Sequence, residues 1–243
     1  MDEIEIKTRD GVADCYAFSP EDANKNLPPV IFYMDVMGVR DSLFEMARRI
    51  ADQGYYVLVP NLYYRKERKL SFPPATVKEE GPKRNEMFQL LQSLDMEMVM
   101  SDTSAYLDFL LVKDNTADKA ATVGYCMGGP YSLGAAGTFP DKIAASASFH
   151  GARLATQKDD SPHLLAPKMK AKIYVGIAGI DPHFSDEEKE RLEQILKENN
   201  VDYTMKVYPD VKHGFTVLDS PAYNKEGSEE HFKALFNLLE KSF

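Results

Sequence analysis

The hexapeptide Gly124-Tyr125-Cys126-Met127-Gly128-Gly129 constrains this chain more than any other segment. The run that leads into it, Ala120 to Tyr125, is apolar and has the length of a buried strand. The run that follows, Met127 to Phe139, is dominated by small residues and predicts a helix. A strand that turns directly into a helix crowds its own backbone at the corner. Glycines two residues either side of the corner remove the side chains that would collide there. Cys126 then projects above the sheet edge, and its sulfur stands at a helix N-terminus, whose partial positive charge favours thiolate. Glycine, any residue, nucleophile, any residue, glycine is the spacing of a nucleophile elbow. A buried cysteine in a helix-starting glycine turn gives the same letters, so the partners of Cys126 decide between the two. A dinucleotide site is disfavoured, because the segment lacks the G-x-G-x-x-G spacing and lies mid-chain.

Around this corner, two hydrophobic periods alternate. Glu3 to Thr8 reads as a strand, and Arg9-Asp10-Gly11 turns into a second strand through Val12 to Phe18. Ser19 to Pro29 is a polar loop. Pro29 to Met34, Tyr55 to Val59, Ile143 to Phe149 and Lys172 to Ala178 are continuous apolar runs, the mark of strands buried on both faces. Val201 to Tyr208 is the last strand. Helices are predicted from Ser42, in a capping box with Glu45, to near Gly54, and over Arg84–Leu94, Asp95–Lys113, Asp186–Asn199 and Glu229–Phe243, with Asp186 as a cap. Residues 61–83 and 152–168 are long loops that roof the site. Strands alternating with helices predict a mainly parallel central sheet with helices on both faces, an α/β-hydrolase fold, in one domain over 1–243. Active residues in such sheets stand at the carboxyl ends of strands.

That rule selects the partners. The fold orders its triad as nucleophile, acid, histidine. His213 lies in Tyr208-Pro209-Asp210-Val211-Lys212-His213-Gly214-Phe215, beyond the final strand. Asp181 follows the preceding strand and can hold the imidazole in one tautomer. His150 follows a strand and can line the pocket, His163 lies in a loop, and His183 is a candidate wall residue. His231 sits on a charged helix and is expected at the surface.

Composition narrows the classes. The net charge of −9 gives no overall affinity for nucleic acid or anionic membrane. An anionic substrate therefore needs a local positive pocket. No apolar run approaches the ~20 residues of a membrane helix. The acidic start Met1-Asp2-Glu3-Ile4-Glu5 is unlike a signal peptide. Cys15 and Cys126 form no disulfide framework. These features predict a cytoplasmic protein. The scattered histidines and two cysteines show no ligand spacing, so no metal and no cofactor is expected. The run Arg65-Lys66-Glu67-Arg68-Lys69 reads as a solvated loop or as an electropositive rim.

With those residues in place, the chain resembles the dienelactone hydrolase (carboxymethylenebutenolidase) family over nearly its whole length. GYCMGG is similar to the family elbow G-Y-C-x-G-G. Asp181 with His183-Phe184 is similar to its acid loop, and His213-Gly214-Phe215 to its base loop. Leu94-Asp95-Met96-Glu97 is similar to a family segment that leads into a long helix. The resemblance implies that Asp35, where the best-known members carry Glu, holds the resting thiol. It implies an oxyanion hole from the Val36 and Met127 amides, and a carboxylate-binding arginine at Arg84. A second family arginine falls on Val217, a departure from the pattern, with Arg153 or Arg40 as compensating cations. Phe88, Phe149, His150 and Arg153 are assigned to the substrate pocket. The expected activity is cleavage of a small lactone or carboxylic ester through a thioester acyl-enzyme, by a monomer or weak homo-oligomer. A broader carboxylesterase or thioesterase, a non-catalytic binding protein on the same fold, and a redox thiol protein are the alternatives.

Overall fold

The structure, a computed structural model, describes residues 1–21, 26–112 and 116–243. Eight strands form one sheet: β1 (Asp2–Thr8), β2 (Gly11–Phe18), β3 (Pro29–Tyr33), β4 (Tyr56–Pro60), β5 (Ala120–Tyr125), β6 (Ile143–Phe149), β7 (Lys172–Ile180) and β8 (Tyr203–Lys212). Their spatial order is β1-β2-β4-β3-β5-β6-β7-β8. The β1–β2 and β2–β4 pairs are antiparallel, and every pair from β4 to β8 is parallel. The chain runs from β3 outward to β4, then returns to place β5 on the other flank of β3. This reversal opens a crevice at the carboxyl ends of β3 and β5, where such sheets bind ligands.

Among the described residues there are seven α-helices: α1 (Asp41–Ala51), α2 (Pro74–Val77), α3 (Pro82–Ser93), α4 (Met96–Leu111), α5 (Gly128–Thr138), α6 (Asp186–Glu198) and α7 (Lys225–Glu240). Strand alternation separates the layers. Thr122 of β5 hydrogen-bonds to Ser132 of α5, whereas Tyr125, three residues on, meets His231 of α7. Helices α5 and α7 therefore cover opposite faces of β5. Arg49 of α1 pairs with Glu229 of α7 and stacks over Phe232, so α1 shares the α7 face. Buried Leu43, Met46, Ala47 and Ile50 recur at helical spacing and form the inner stripe of α1.

The interior runs follow their hydrophobicity, and β5 and β6 have the predicted bounds. Caps and loops differ. Helix α1 starts at Asp41 with Arg40 in the N-cap position and no side-chain cap; Ser42 instead helps to hold the Asp219 carboxylate. Ser185, rather than Asp186, caps α6, accepting from the Glu188 amide at 3.2 Å. Helix α7 begins at Lys225, earlier than predicted, because Asn224 accepts from the Gly227 amide. The 61–83 stretch contains α2 and the first turn of α3, and 152–168 closes with a 3₁₀ helix over Pro162–Lys168. Lys113, the predicted end of the long helix, lies outside the described residues, as does part of the Ser19–Pro29 loop.

Residues 66–69 of the charge run are exposed, as a solvated loop requires, whereas Arg65 is partly buried. Arg65 donates to buried Asp102, Arg68 pairs with Glu5, and Lys69 pairs with Glu3. These ion pairs fasten the segment after β4 to β1 and α4. His231 is fully buried, against the surface expectation. Its Nδ1 meets the Ser228 carbonyl at 2.6 Å, and its Nε2 meets the Tyr125 hydroxyl at 3.1 Å. Burial, set against the Ser228 hydrogen bond, takes its pKa down to about 3. Among the described residues, no helix is long and apolar enough to cross a membrane.

Candidate active site

Cys126 adopts φ +54, the left-handed region that a β-carbon disfavours. The glycines make that turn possible. A Cβ at Gly124 would run into the Gly128 carbonyl, and one at Gly128 would run into the Tyr33 carbonyl at the end of β3. The backbone amide of Cys126 is anchored to the Phe149 carbonyl at 3.2 Å. The sulfur is thus held at the β5 edge, half-buried.

The ends of β7 and β8 deliver the other two groups. Asp181 directly follows β7, and its side chain is almost fully buried. Its Oδ2 lies 2.8 Å from His213 Nδ1, while Oδ1 accepts the His183 amide at 2.9 Å. The second carboxylate oxygen thus fixes the plane in which the first receives the imidazole. Cys126 lies close enough to His213 to favour its protonated form. Burial disfavours charge on His213, but the Asp181 hydrogen bond and the nearby Cys126 outweigh it and raise its pKa to about 10. The structure therefore brings Cys126, His213 and Asp181 together at the carboxyl ends of β5, β7 and β8.

Two further histidines pack edge-on against this imidazole. His183 is 4.9 Å away and exposed, and His150 is 5.1 Å away and buried. His150 hydrogen-bonds through Nε2 to Thr216 at 2.8 Å, so it braces the loop behind the base. Burial, then the neighbouring charge of His213, holds its pKa well below the usual histidine range.

Val36 and Met127 stand on the two sides of the β3–β5 crevice. Among the described residues, neither amide donates to a protein acceptor. Tyr63, in the turn after β4, ties the two together. Its hydroxyl donates toward the Val36 carbonyl at 2.9 Å and lies 3.4 Å from Met127 Sδ. Sequence reading passed over Tyr63, although the strand-end rule applied to β4 selects it.

Other predicted positions are placed differently. Asp35 is engaged by Arg40, which donates to both of its oxygens at 2.8 Å. Arg40 bridges onward to Asp219, a residue with no sequence signal, because 179 positions separate the pair. Phe149 is a core residue, fully buried between Tyr125 and Tyr174. Arg84 and Phe88 lie together on the outer face of α3, with the guanidinium 5.6 Å over the ring. Arg84 reaches the Lys78 carbonyl at 3.4 Å, and Phe88 is exposed. Val217 is buried. Arg153 is exposed at φ +58 beside a cavity of about 90 Å³ that Tyr131 and Asp160 also line. Among the described residues, no group of three or more His, Cys, Asp or Glu is arranged to hold a metal ion.

A parallel sheet with a nucleophile elbow after β5, an acid after β7 and a histidine after β8 defines an α/β hydrolase. The sequence profile of the dienelactone hydrolase family matches residues 13–243, and the chain belongs to that family. A protein of Saccharolobus solfataricus named "Putative carboxymethylenebutenolidase" is 24% identical over 251 residues, covering 93% of each chain. Protein usf of Aquifex pyrophilus is 30% identical over 192 residues, covering 77% of this chain and 76% of that one. Among solved structures, one described as a putative dienelactone hydrolase from Klebsiella pneumoniae superposes with a TM-score of 0.85 at 20% identity. It covers 98% of this chain and 96% of its own. That superposition supports the same fold. The chain is a hydrolase of the dienelactone hydrolase family.

Proposed function

We propose that the enzyme cleaves carboxylic-ester or lactone bonds through Cys126 as nucleophile, His213 as acid and base, and Asp181 as the group that orients His213. The observation that carries this reading is the His213 imidazole, hydrogen-bonded to the Asp181 carboxylate at 2.8 Å and close enough to Cys126 for that residue to favour its protonated form. Relatives from Saccharolobus solfataricus and Escherichia coli are named "Putative carboxymethylenebutenolidase", which agrees with it.

The chemistry follows from those contacts. The sulfur attacks the carbonyl carbon, and the oxyanion forms against the Val36 and Met127 amides. One such donor is worth roughly 3–4 kcal/mol of barrier. The C–O bond then breaks, and the leaving alkoxide takes the imidazolium proton from His213. A thioester acyl-enzyme results. Water attacks that thioester while His213 accepts its proton. The thiolate departs, and the carboxylic acid product is released. Aligned with the positions that bear the chemistry, an uncharged or anionic small ester or lactone is the expected partner.

Alkylation tests the assignment. Cys15 is buried, with its thiol pKa pushed far up by burial, so iodoacetamide should label Cys126 alone. Labelling should abolish turnover of p-nitrophenyl acetate, and Cys126→Ala should lower kcat/KM by roughly 10³-fold or more. Full turnover in folded Cys126→Ala protein contradicts the assignment.

A further inference from the structure

Arg40 occupies an unusual place beside this site. Its Nε donates to Asp219 Oδ2 at 2.7 Å. Its Nη1 donates to Asp35 Oδ1 at 2.8 Å and to the Gly38 carbonyl at 3.1 Å. Its Nη2 donates to Asp35 Oδ2 at 2.8 Å and to Asp219 Oδ1 at 3.0 Å. A guanidinium has five N–H donors, and all of them are committed. The side chain is 8% exposed, so Arg40 has neither the access nor the donors to clamp a substrate carboxylate.

Its two partners belong to different parts of the site. Asp35 follows β3, directly before Val36, and its Oδ1 also accepts the Met37 amide at 2.9 Å. This carboxylate therefore shapes the turn that carries the Val36 amide. Asp219 lies in the loop that begins at His213. Burial opposes its charge, yet the Arg40 hydrogen bonds hold its pKa below the usual carboxylate range. Two forked pairs on one planar guanidinium fix both carboxylates in direction as well as distance.

We propose that Arg40 is a positioning residue that bolts the Val36 turn to the His213 loop, so that oxyanion donor and base keep one spacing around Cys126. This rests on the assignment of Cys126 and His213 made above. Lysine cannot replace it, because a single ammonium with three donors does not span two carboxylates in one plane. The His213 loop has separate anchors in the His150–Thr216 bond and buried Phe215, so loss of the bolt shifts the loop without releasing it.

The test reads geometry in two ways. One is kcat and KM for p-nitrophenyl acetate. The other is the pH profile of Cys126 alkylation by iodoacetamide, which needs no substrate. The groups facing His213 are Asp181, Cys126, His183 and His150. Arg40→Lys and Asp219→Asn leave all four in the chain, so a moved profile reports a moved imidazole. Both variants should lower kcat by about tenfold or more, with KM held within about twofold. Their alkylation profiles should differ from the wild-type profile. Glu229→Gln, which breaks the surface pair to Arg49, should change neither. Folded Arg40→Lys or Asp219→Asn protein with wild-type kcat and a wild-type profile overturns the proposal. Should Arg40→Lys not fold, the near-isosteric Asp219→Asn decides. A wild-type enzyme that hydrolyses no ester overturns the functional assignment instead, while the alkylation profiles still judge Arg40.

Discussion

At the scale of single residues, the corner at Cys126 holds its backbone at φ +54. A non-glycine residue at positive φ carries a conformational cost that the surrounding packing must hold. The cost is tolerable here because Gly124 and Gly128 let the strand end and the helix start overlap in space. Gly128→Ala should therefore destabilise the fold, by about 1–3 kcal/mol of overpacking against the Tyr33 carbonyl, seen as a lower urea midpoint. An unchanged midpoint would mean that the corner has slack. The glycines and the placement of Cys126, Asp181 and His213 at strand ends were legible in the sequence because each depends on local spacing. Asp35 and Arg40 were not, since their pairing depends on Asp219, which only the folded chain brings near.

Among the elements, the legible ones are those whose pattern is complete within the segment. The buried strands β3, β5, β6 and β7 are continuous apolar runs, and no tertiary partner is needed to recognise them. Helix caps depend on which neighbour claims a hydroxyl, as Ser42 does with Asp219. The segment after β4 shows the same dependence. Arg65 reads as one charge in a basic run, yet it donates to both oxygens of Asp102, whose side chain is 1% exposed. Burial raises the pKa of Asp102, and the Arg65 and Tyr64 hydrogen bonds oppose that rise. Arg65→Met strands this carboxylate, and stability should fall by roughly 3–5 kcal/mol. Chemical denaturation at pH 7 measures the loss, and adding Asp102→Asn should restore part of it. No loss would show that Asp102 is held by Tyr64 alone.

For the whole molecule, the buried histidines set the response to pH. His231 binds a proton near pH 6.5 when unfolded and near 3 when folded. Its contribution is present above pH 6.5 and is lost as pH falls toward 3, because the unfolded chain takes up the proton first. His150 acts in the same direction. His213 has the opposite sign. Its raised pKa gives stability that is full below 6.5 and is lost as pH rises through about 10. His231→Gln should flatten the fall in unfolding free energy between pH 6 and 4 by about one proton's worth, close to 1.4 kcal/mol per pH unit. An unaltered slope would assign the acid limb to other groups. The net charge of −9 described in the sequence bears on solubility and steering, and not on these local balances. The central claim is that the Cys126 sulfur carries the acyl group. The most direct measurement is rapid acid quenching of the enzyme with p-nitrophenyl acetate, followed by peptide mass analysis. One acetyl group on the peptide that contains Cys126, formed and then lost at the rate of turnover, is the predicted result. Turnover with no acetyl on Cys126 at any time, or with the acetyl on another side chain, contradicts the account.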